Sequence, residues 1–333
     1  NDRLLAPSFF TTGPKLTGPE FIGADNLNLY TPEEARRRVA SYQARGYDFI
    51  KTYYGLDRAL FDAVLAQAEE SQMDVVAHPS PLVPFTYHAH PQIKSIEHAE
   101  DVVQQALRHE LDTNKLHEVI DSLASFPSVH YCPTLTVFHN IYEMMVNETL
   151  LQSEEMKDLN PLIRRVDGKN QFERWFQAKQ ADPGVVGRIK DQHDFHLSIV
   201  RSMHEAGISI ICGTDAGIGV TRPGYAIHRE LAFYREAGLP PFEVLKTATV
   251  NAAQTHAVMN DLGTVEEGKV ANLLLLDENP LLTLATLQAP AMVLIRGRPL
   301  DRSTLQTFKS KARRRQNLLT TALRYAEYHW VER

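Results

Sequence analysis

The sequence has few cysteines and no long apolar run, and both absences restrict what it can encode. Cys132 and Cys212 are the only cysteines among 333 residues, and both lie in apolar runs typical of strands. The two thiols are therefore expected to be buried small apolar side chains rather than a disulfide. No stretch reaches the roughly 18 apolar residues that a membrane-spanning helix requires, so no membrane span is predicted.

An excess of positive charge is also absent. The chain has 35 Lys and Arg residues against 41 Asp and Glu residues, a net charge of −6, which argues against a nucleic-acid partner. Two basic clusters, at residues 36–38 and 309–315, lie in helix-like stretches and are interpreted as solvated faces. The length of 333 residues suffices for a sizeable core in one or two domains.

Short apolar runs alternate with helical patterns over the first two thirds of the chain. Helices are predicted to begin at the cap residues Thr31 and Asp57, the first ending at Gly46, and another covers residues 114–126. Continuous apolar strands between helices indicate a parallel sheet covered by helices, either doubly wound or a (β/α)8 barrel. The six predicted strands cover residues 4–10, 48–54, 74–79, 94–99, 129–135 and 208–215.

The pattern changes in two places. The polar stretch from about 145 to 192 is predicted to be an insertion of helices and loops after the fifth predicted strand. After residue 260, strand patterns follow one another without helices, which indicates a small separate β element. We therefore predict a barrel domain over residues 1–262, part of a small β-sandwich over 263–300, and a C-terminal helix within 301–333.

Four polar residues lie in or at the carboxyl ends of the predicted strands: Lys51, His78, His98 and Asp215. Active sites of (β/α)8 barrels are built at this face, although each residue taken singly also has a structural explanation. Two imidazoles and one carboxylate at neighbouring strand ends suit Zn²⁺ or a similar divalent ion. An ammonium group has no lone pair, so Lys51 would become a ligand only after carboxylation by CO₂ to a carbamate.

These residues lie in four motifs, FIKTYYG, VVAHPS, SIEHAED and GTDAG. The series resembles the metal-ligand series of the amidohydrolase superfamily, in particular its imidazolonepropionase-like and prolidase-like members. The resemblance continues through residues 224–280 and covers approximately residues 3–300. It implies an α/β fold, a (β/α)8 TIM-type barrel with strands 3–8 present and strands 1–2 missing, followed by a remnant of a small β-sandwich and a C-terminal helix.

The resemblance also implies roles for the four residues. Lys51 would be a carbamate that bridges two metals, and His78 and His98 would complete the second metal site. Asp215 would bind the first metal and act as general base. The implied cofactor is Zn²⁺, as one or two divalent ions, and the implied reaction is hydrolysis of an amide, peptide or cyclic C–N bond in a small molecule, with an imino-acid dipeptide as the nearest substrate.

Further residues are candidates for contact with a substrate. Tyr53 and Tyr54 follow the Lys51 strand, and packing at the barrel mouth is their alternative role. His228 lies on the helix after the Asp215 loop and matches a histidine that recurs in the related proteins. Arg222 could meet a substrate carboxylate, but a solvated loop arginine is the preferred interpretation.

The His-x-His pair that the superfamily carries on its first strand is missing from its expected place. The pair His88-Ala89-His90 lies in a Pro-rich loop and is interpreted as a loop feature. We expect the chain to be a fragment that begins at the third strand, in preference to an incomplete gene model or a truncated homologue. Six strands would leave an open barrel, poorly soluble unless a partner chain fills the gap.

Two alternative functions remain open at this point. One is an imidazolone- or lactam-ring hydrolase with the same metal centre. The other is a truncated, non-catalytic homologue that acts as an interaction scaffold. The four retained ligands argue against the scaffold, and the missing His-x-His pair argues for it. The sequence leaves the compartment open and is compatible with a homo-oligomer.

Overall fold

The computed structural model describes residues 6–21, 26–126, 128–314 and 318–331. Seven short parallel strands form the main sheet in the order β2-β1-β3-β4-β5-β6-β7, which places β2 and β7 at its two edges. Parallel strands indicate a layered α/β architecture, as the sequence predicted. The strands are β1 (Lys15–Thr17), β2 (Asn26–Asn28), β3 (Phe49–Thr52), β4 (Asp74–Ala77), β5 (Ile93–Glu97), β6 (His130–Cys132) and β7 (Ser209–Ile210).

Helices lie between β2 and β3, β3 and β4, β5 and β6, and β6 and β7, and pack against the sheet. A continuous core of buried apolar side chains joins the strands to these helices. Within the described ranges, no helix is both long and apolar enough to cross a membrane. The helices are α1 (Pro32–Ala44), α2 (Arg58–Glu70), α3 (Ala99–Asp101), α4 (Thr113–Ala124), α5 (Leu135–Val146), α6 (Pro161–Ile163), α7 (Lys169–Ala181), α8 (Val185–Glu205), α9 (Ala226–Glu236), α10 (Pro241–Thr247), α11 (Val250–Ala253), α12 (Arg302–Arg313) and α13 (Leu318–Val331).

The predicted helix starts are confirmed by their caps. The Thr31 hydroxyl accepts a hydrogen bond from the Glu34 amide at 3.2 Å, and the Asp57 carboxylate accepts one from the Leu60 amide at 2.9 Å. Each bond satisfies an amide that has no partner inside its helix. Gly46 follows α1 with φ of 78°, the left-handed conformation that commonly ends a helix.

The first predicted strand is wrong. Residues 6–10 are irregular, residues 4 and 5 lie outside the described part of the chain, and the strand is instead β1. The strand β2 was not predicted, because the sequence Asn-Leu-Asn has low strand propensity. It forms a strand here because it pairs with β1. The last strand of the sheet is shorter than predicted, since regular pairing ends at Ile210.

A second, antiparallel sheet follows the α/β part, as the change of pattern after residue 260 indicates. Its strands are β8 (Leu273–Leu275), β9 (Met292–Ile295) and β10 (Arg298–Asp301), in the order β10-β9-β8. The C-terminal helix predicted within residues 301–333 is two helices instead of one, since α12 ends at Arg313 and α13 begins at Leu318. The domain boundaries themselves remain a prediction.

Three buried histidines outside the strand-end cluster make the stability of the fold sensitive to acid. Burial lowers the pKa of His88 and His193 to about 4 and that of His196 to about 3. Between these values and the unfolded pKa of about 6.5, the unfolded chain binds more protons than the folded chain, so stability falls as pH falls. At pH 5 each histidine should lower the free energy of unfolding by about 2 kcal/mol relative to pH 7.5.

We therefore expect the midpoint of urea unfolding to fall substantially between pH 7.5 and pH 5. His196→Leu should weaken this dependence, because it removes one of the buried groups that must ionise. His117→Gln, at an exposed position of α4, should leave it unchanged. Equal midpoints at the two pH values would contradict the prediction.

Candidate metal centre

His78 follows β4 at the carboxyl edge of the sheet and is 5% exposed. Its backbone amide continues the sheet by donating to the Thr52 carbonyl at 3.1 Å. Its two ring nitrogens are both buried and have no hydrogen-bond partner in the described part of the chain. Its ring lies 4.7 Å from that of His98, and its Nε2 lies 3.4 Å from Asp101 Oδ2, which is also buried and unpartnered.

His98 follows β5, the strand next to β4, and so lies at the strand end beside that of His78. Its amide donates to the Cys132 carbonyl at 2.8 Å, and its Nδ1 lies 2.8 Å from the Thr134 hydroxyl. When Nδ1 donates its proton to that hydroxyl, the lone pair of Nε2 is free for a metal, which is the usual arrangement around a histidine ligand.

Asp215 extends the cluster from the loop after β7. Its Oδ2 lies 3.7 Å from Nδ1 of His98. Gly213 is required before it, because a Cβ atom there would lie 2.3 Å from Sγ of Cys132. Gly217, after it, has φ of 110° and turns the loop. These two glycines therefore allow the backbone to turn closely around Asp215.

Strained backbone marks three successive strand ends. His98, Thr134 and Asp215 have φ of 71°, 52° and 48°, the left-handed region that non-glycine residues rarely adopt. Each such residue costs of order 1–3 kcal/mol and persists only where the surrounding structure enforces it. Strain of this kind is concentrated at functional sites, which favours a functional role for this edge of the sheet.

Lys51 lies on β3 next to this cluster, paired in register with Val76 of β4. Burial, together with the positive charge of Lys51, lowers the pKa of His98 to about 3. Burial also raises the pKa of Asp215, an effect that Lys51 opposes. The structure therefore brings all four predicted ligand residues to one edge of the sheet.

Two carboxylates at this edge were not singled out from the sequence. Burial and neighbouring carboxylates together raise the pKa of Asp101 well above its usual range and that of Glu100 to about 7. Both follow His98 in the motif HAED, and this proximity was the available signal. Lys15 was also missed, and its positive charge lowers the pKa values of His78 and His98.

The donor set fits a divalent metal. Ligand atoms of His78, His98 and Asp101 all lie within 4.8 Å of one another, and all three residues are buried. Buried imidazoles without hydrogen-bond partners are costly unless something else satisfies them, and neutral imidazole with carboxylate is a set that Zn²⁺ binds. The sequence predicted both histidines of this group but not Asp101.

The aromatic candidates lie over His78. The Tyr53 ring is 4.3 Å from the His78 ring and the Tyr54 ring is 5.7 Å from it. Both tyrosines also contact Phe21, so packing at the mouth of the site accompanies any role in binding. His228 on α9 is not a member of the three-residue group, and its Nδ1 is buried without a partner among the described residues.

The loop histidine His88 has a structural role. Its Nε2 accepts a hydrogen bond from the Ser80 amide at 3.0 Å, so its Nδ1 carries the proton that bonds the Phe85 carbonyl at 2.9 Å. Both nitrogens are therefore occupied, and the interpretation of His88-Ala89-His90 as a loop feature is confirmed for His88.

The interpretation of Arg222 as a solvated residue is wrong. Its side chain is 15% exposed, and Nη2 lies 2.8 Å from a carboxylate oxygen of Glu155. Glu155 belongs to the inserted segment, which also holds the Asp215 loop through a 2.8 Å bond from the Gly219 amide to Asp167. The insertion thus covers this loop, a long-range contact that sequence patterns do not reveal.

Removing the Thr134 hydroxyl should weaken metal binding through His98. We expect Thr134→Val to lower the affinity for Zn²⁺ by about 10- to 100-fold, as is typical when the partner of a ligating histidine is lost. Thr134→Ser keeps the hydroxyl and should restore the affinity. Equal affinities for Thr134→Val and the unchanged protein, measured by chelator competition, would contradict this role.

Fold and site together define a class: an α/β protein with a candidate divalent-metal centre at the carboxyl edge of its parallel sheet. A model described as the amidohydrolase family matches residues 54–300, more than half of the 333-residue chain. The chain therefore belongs to the amidohydrolase family.

Similar proteins agree with this assignment. Ochratoxinase of Aspergillus niger is 36% identical over 102 residues, 30% of this chain and 20% of that protein. Imidazolonepropionase of Streptococcus gordonii is 31% identical over 109 residues, 30% of this chain and 34% of that protein. The chain thus matches only a fifth to a third of the length of these curated relatives.

Solved structures share the fold over a longer range. A bottromycin amidohydrolase superposes with a TM-score of 0.71 and 22% identity, covering 91% of this chain and 67% of that one. A putative prolidase from Bifidobacterium longum superposes with a TM-score of 0.63 and 26% identity, covering 93% and 72%. The predicted α/β amidohydrolase fold is confirmed.

Proposed function

We propose that this chain carries the metal centre of a metal-dependent hydrolase that cleaves an amide, peptide or cyclic C–N bond in a small molecule. The observation that carries the proposal is the environment of His78. Both of its ring nitrogens are buried without a hydrogen-bond partner in the described chain, and it lies beside His98 and Asp101. Zn²⁺ is the proposed ion because imidazole and carboxylate ligands together suit it.

The residues divide the chemistry between them. A divalent ion bound here supplies Lewis-acid polarisation of the scissile carbonyl and a more acidic water. His78 and His98 would hold that ion, and Lys51 would become an anionic ligand if it were carboxylated. Asp215 accepts the proton of the attacking water and passes it to the leaving nitrogen, which departs as an amine. Tyr53, Tyr54 and His228 orient the substrate.

The relatives support two substrate classes. The structural similarity to a putative prolidase favours a dipeptide with an imino acid, which is our first candidate. The sequence similarity to imidazolonepropionase favours a ring amide as the second. Both reactions need a polarised carbonyl and a proton carrier, so one metal centre serves either.

The proposal is tested by metal content and turnover of the same preparation. The chelator-treated chain is titrated with Zn²⁺ in a calorimeter and then incubated with alanyl-proline, N-benzoylglycine and a five-membered lactam. We expect one Zn²⁺ per chain and slow hydrolysis of the dipeptide that disappears with chelator. A chain that binds no metal and cleaves none of the probes would instead support the scaffold alternative.

A further inference from the structure

A groove of about 590 Å³ lies between the segments that follow β3, β4 and β5. One wall is the apolar segment 81–85, Pro-Leu-Val-Pro-Phe, and the opposite wall includes Gln105. Tyr54 also lines the groove, and Arg108 and His109 form its basic side. Its volume is within the range of small-molecule sites.

Two residues that line the groove contact the candidate metal ligands. Gln105 donates from Nε2 to Asp101 Oδ1 at 3.0 Å and to the Pro79 carbonyl at 2.9 Å. The ring of Tyr54 lies 5.7 Å from that of His78. Oε1 of Gln105 is buried and has no hydrogen-bond partner in the described ranges.

The apolar wall is preformed. His88 bonds the Ser80 amide and the Phe85 carbonyl, the two ends of the wall, and the Ser80 hydroxyl donates to the Leu56 carbonyl at 2.8 Å. Leu82 is nevertheless 61% exposed. A rigid segment with apolar side chains exposed to solvent can bind an apolar group without the entropy cost of becoming ordered on binding.

The basic side of the groove provides a cation. Arg108 and His109 have φ of 51° and 65°, so two consecutive non-glycine residues are held in the left-handed region. Glu110, the next residue, pairs with Lys115 at 2.5 Å rather than with Arg108. The Arg108 guanidinium therefore remains available for an anionic group, and guanidinium binds carboxylate with matching geometry.

We propose that this groove binds an apolar part of the substrate that ends in a carboxylate, with Arg108 receiving the carboxylate. The inference rests on the proposed function for the position of the bond that is cleaved. Apolar contact with residues 81–85 and a charged contact at Arg108 together select an amphipathic, anionic amide over a neutral one.

The test compares two probes that differ by one charge. Binding of 4-benzamidobenzoate and of its methyl ester to the full chain is measured by calorimetry, without added metal. We expect the acid to bind about tenfold more tightly than the ester, and Arg108→Asn to remove this preference. Asn is chosen because it tolerates the left-handed backbone at this position.

Two comparisons complete the test. Arg36→Gln removes an exposed cation of α1 and should keep the preference for the acid, which separates a specific contact from net charge. Equal binding of acid and ester, or an unchanged preference in Arg108→Asn, would overturn the inference. Because binding is measured without metal, a failure of hydrolysis would count against the proposed function alone.

Discussion

Replacing His78 with Ala should abolish binding of Zn²⁺ at micromolar concentrations while leaving the metal-free fold intact. The imidazole is one of three buried ligand groups within 4.8 Å of one another, so its loss leaves too few donors. Loss of a supporting partner already costs about 10- to 100-fold in metal affinity, and loss of a ligand should cost more. Calorimetric titration and the rise in Tm on adding Zn²⁺ measure the effect.

The stability of the metal-free protein shows whether His78→Ala acts on metal binding or on folding. Both nitrogens of His78 are buried without a hydrogen-bond partner in the described chain, so removing the ring breaks no hydrogen bond and relieves a desolvation penalty. The unfolding free energy of the metal-free His78→Ala protein should therefore stay close to that of the unchanged protein. His88→Ala is the matched comparison, since it removes two hydrogen bonds and should lower stability but spare metal binding. Undiminished Zn²⁺ binding in His78→Ala would refute the assignment.

Asp215→Asn should lower kcat by about 10²–10⁴ in metal-loaded protein, because the amide keeps an oxygen donor but cannot accept the proton. Asn tolerates the left-handed conformation that Asp215 adopts, so the loop should keep its shape. The measurement is turnover of the dipeptide probe at saturating metal.

Asp101→Asn is the matched variant for this prediction, since both carboxylates lie at the same edge of the sheet. It should act mainly on metal affinity, because Asp101 is grouped with the two histidines as a potential ligand. Normal turnover in Asp215→Asn, with loss of turnover in metal-saturated Asp101→Asn, would reverse the two roles.

Local rules explain what was predictable from the sequence. The caps Thr31 and Asp57 act over three residues, and the apolar runs of β3 to β6 carry their own burial signal. Because parallel strands end at one edge, strand ends alone predicted that Lys51, His78, His98 and Asp215 would meet. The four motifs around these residues indicated the amidohydrolase superfamily.

Only the tertiary structure decided the rest, because the deciding contacts join residues far apart in the chain. Strand β2 depends on its pairing with β1, and Arg222 is held by Glu155, 67 residues away. Asp101 is a candidate ligand because α3 turns it toward His78. The apolar wall of the groove, residues 81–85, is held in place because His88 bonds the Ser80 amide. Propensity and periodicity describe neighbours in sequence, whereas burial, pairing and electrostatic environment are set by neighbours in space.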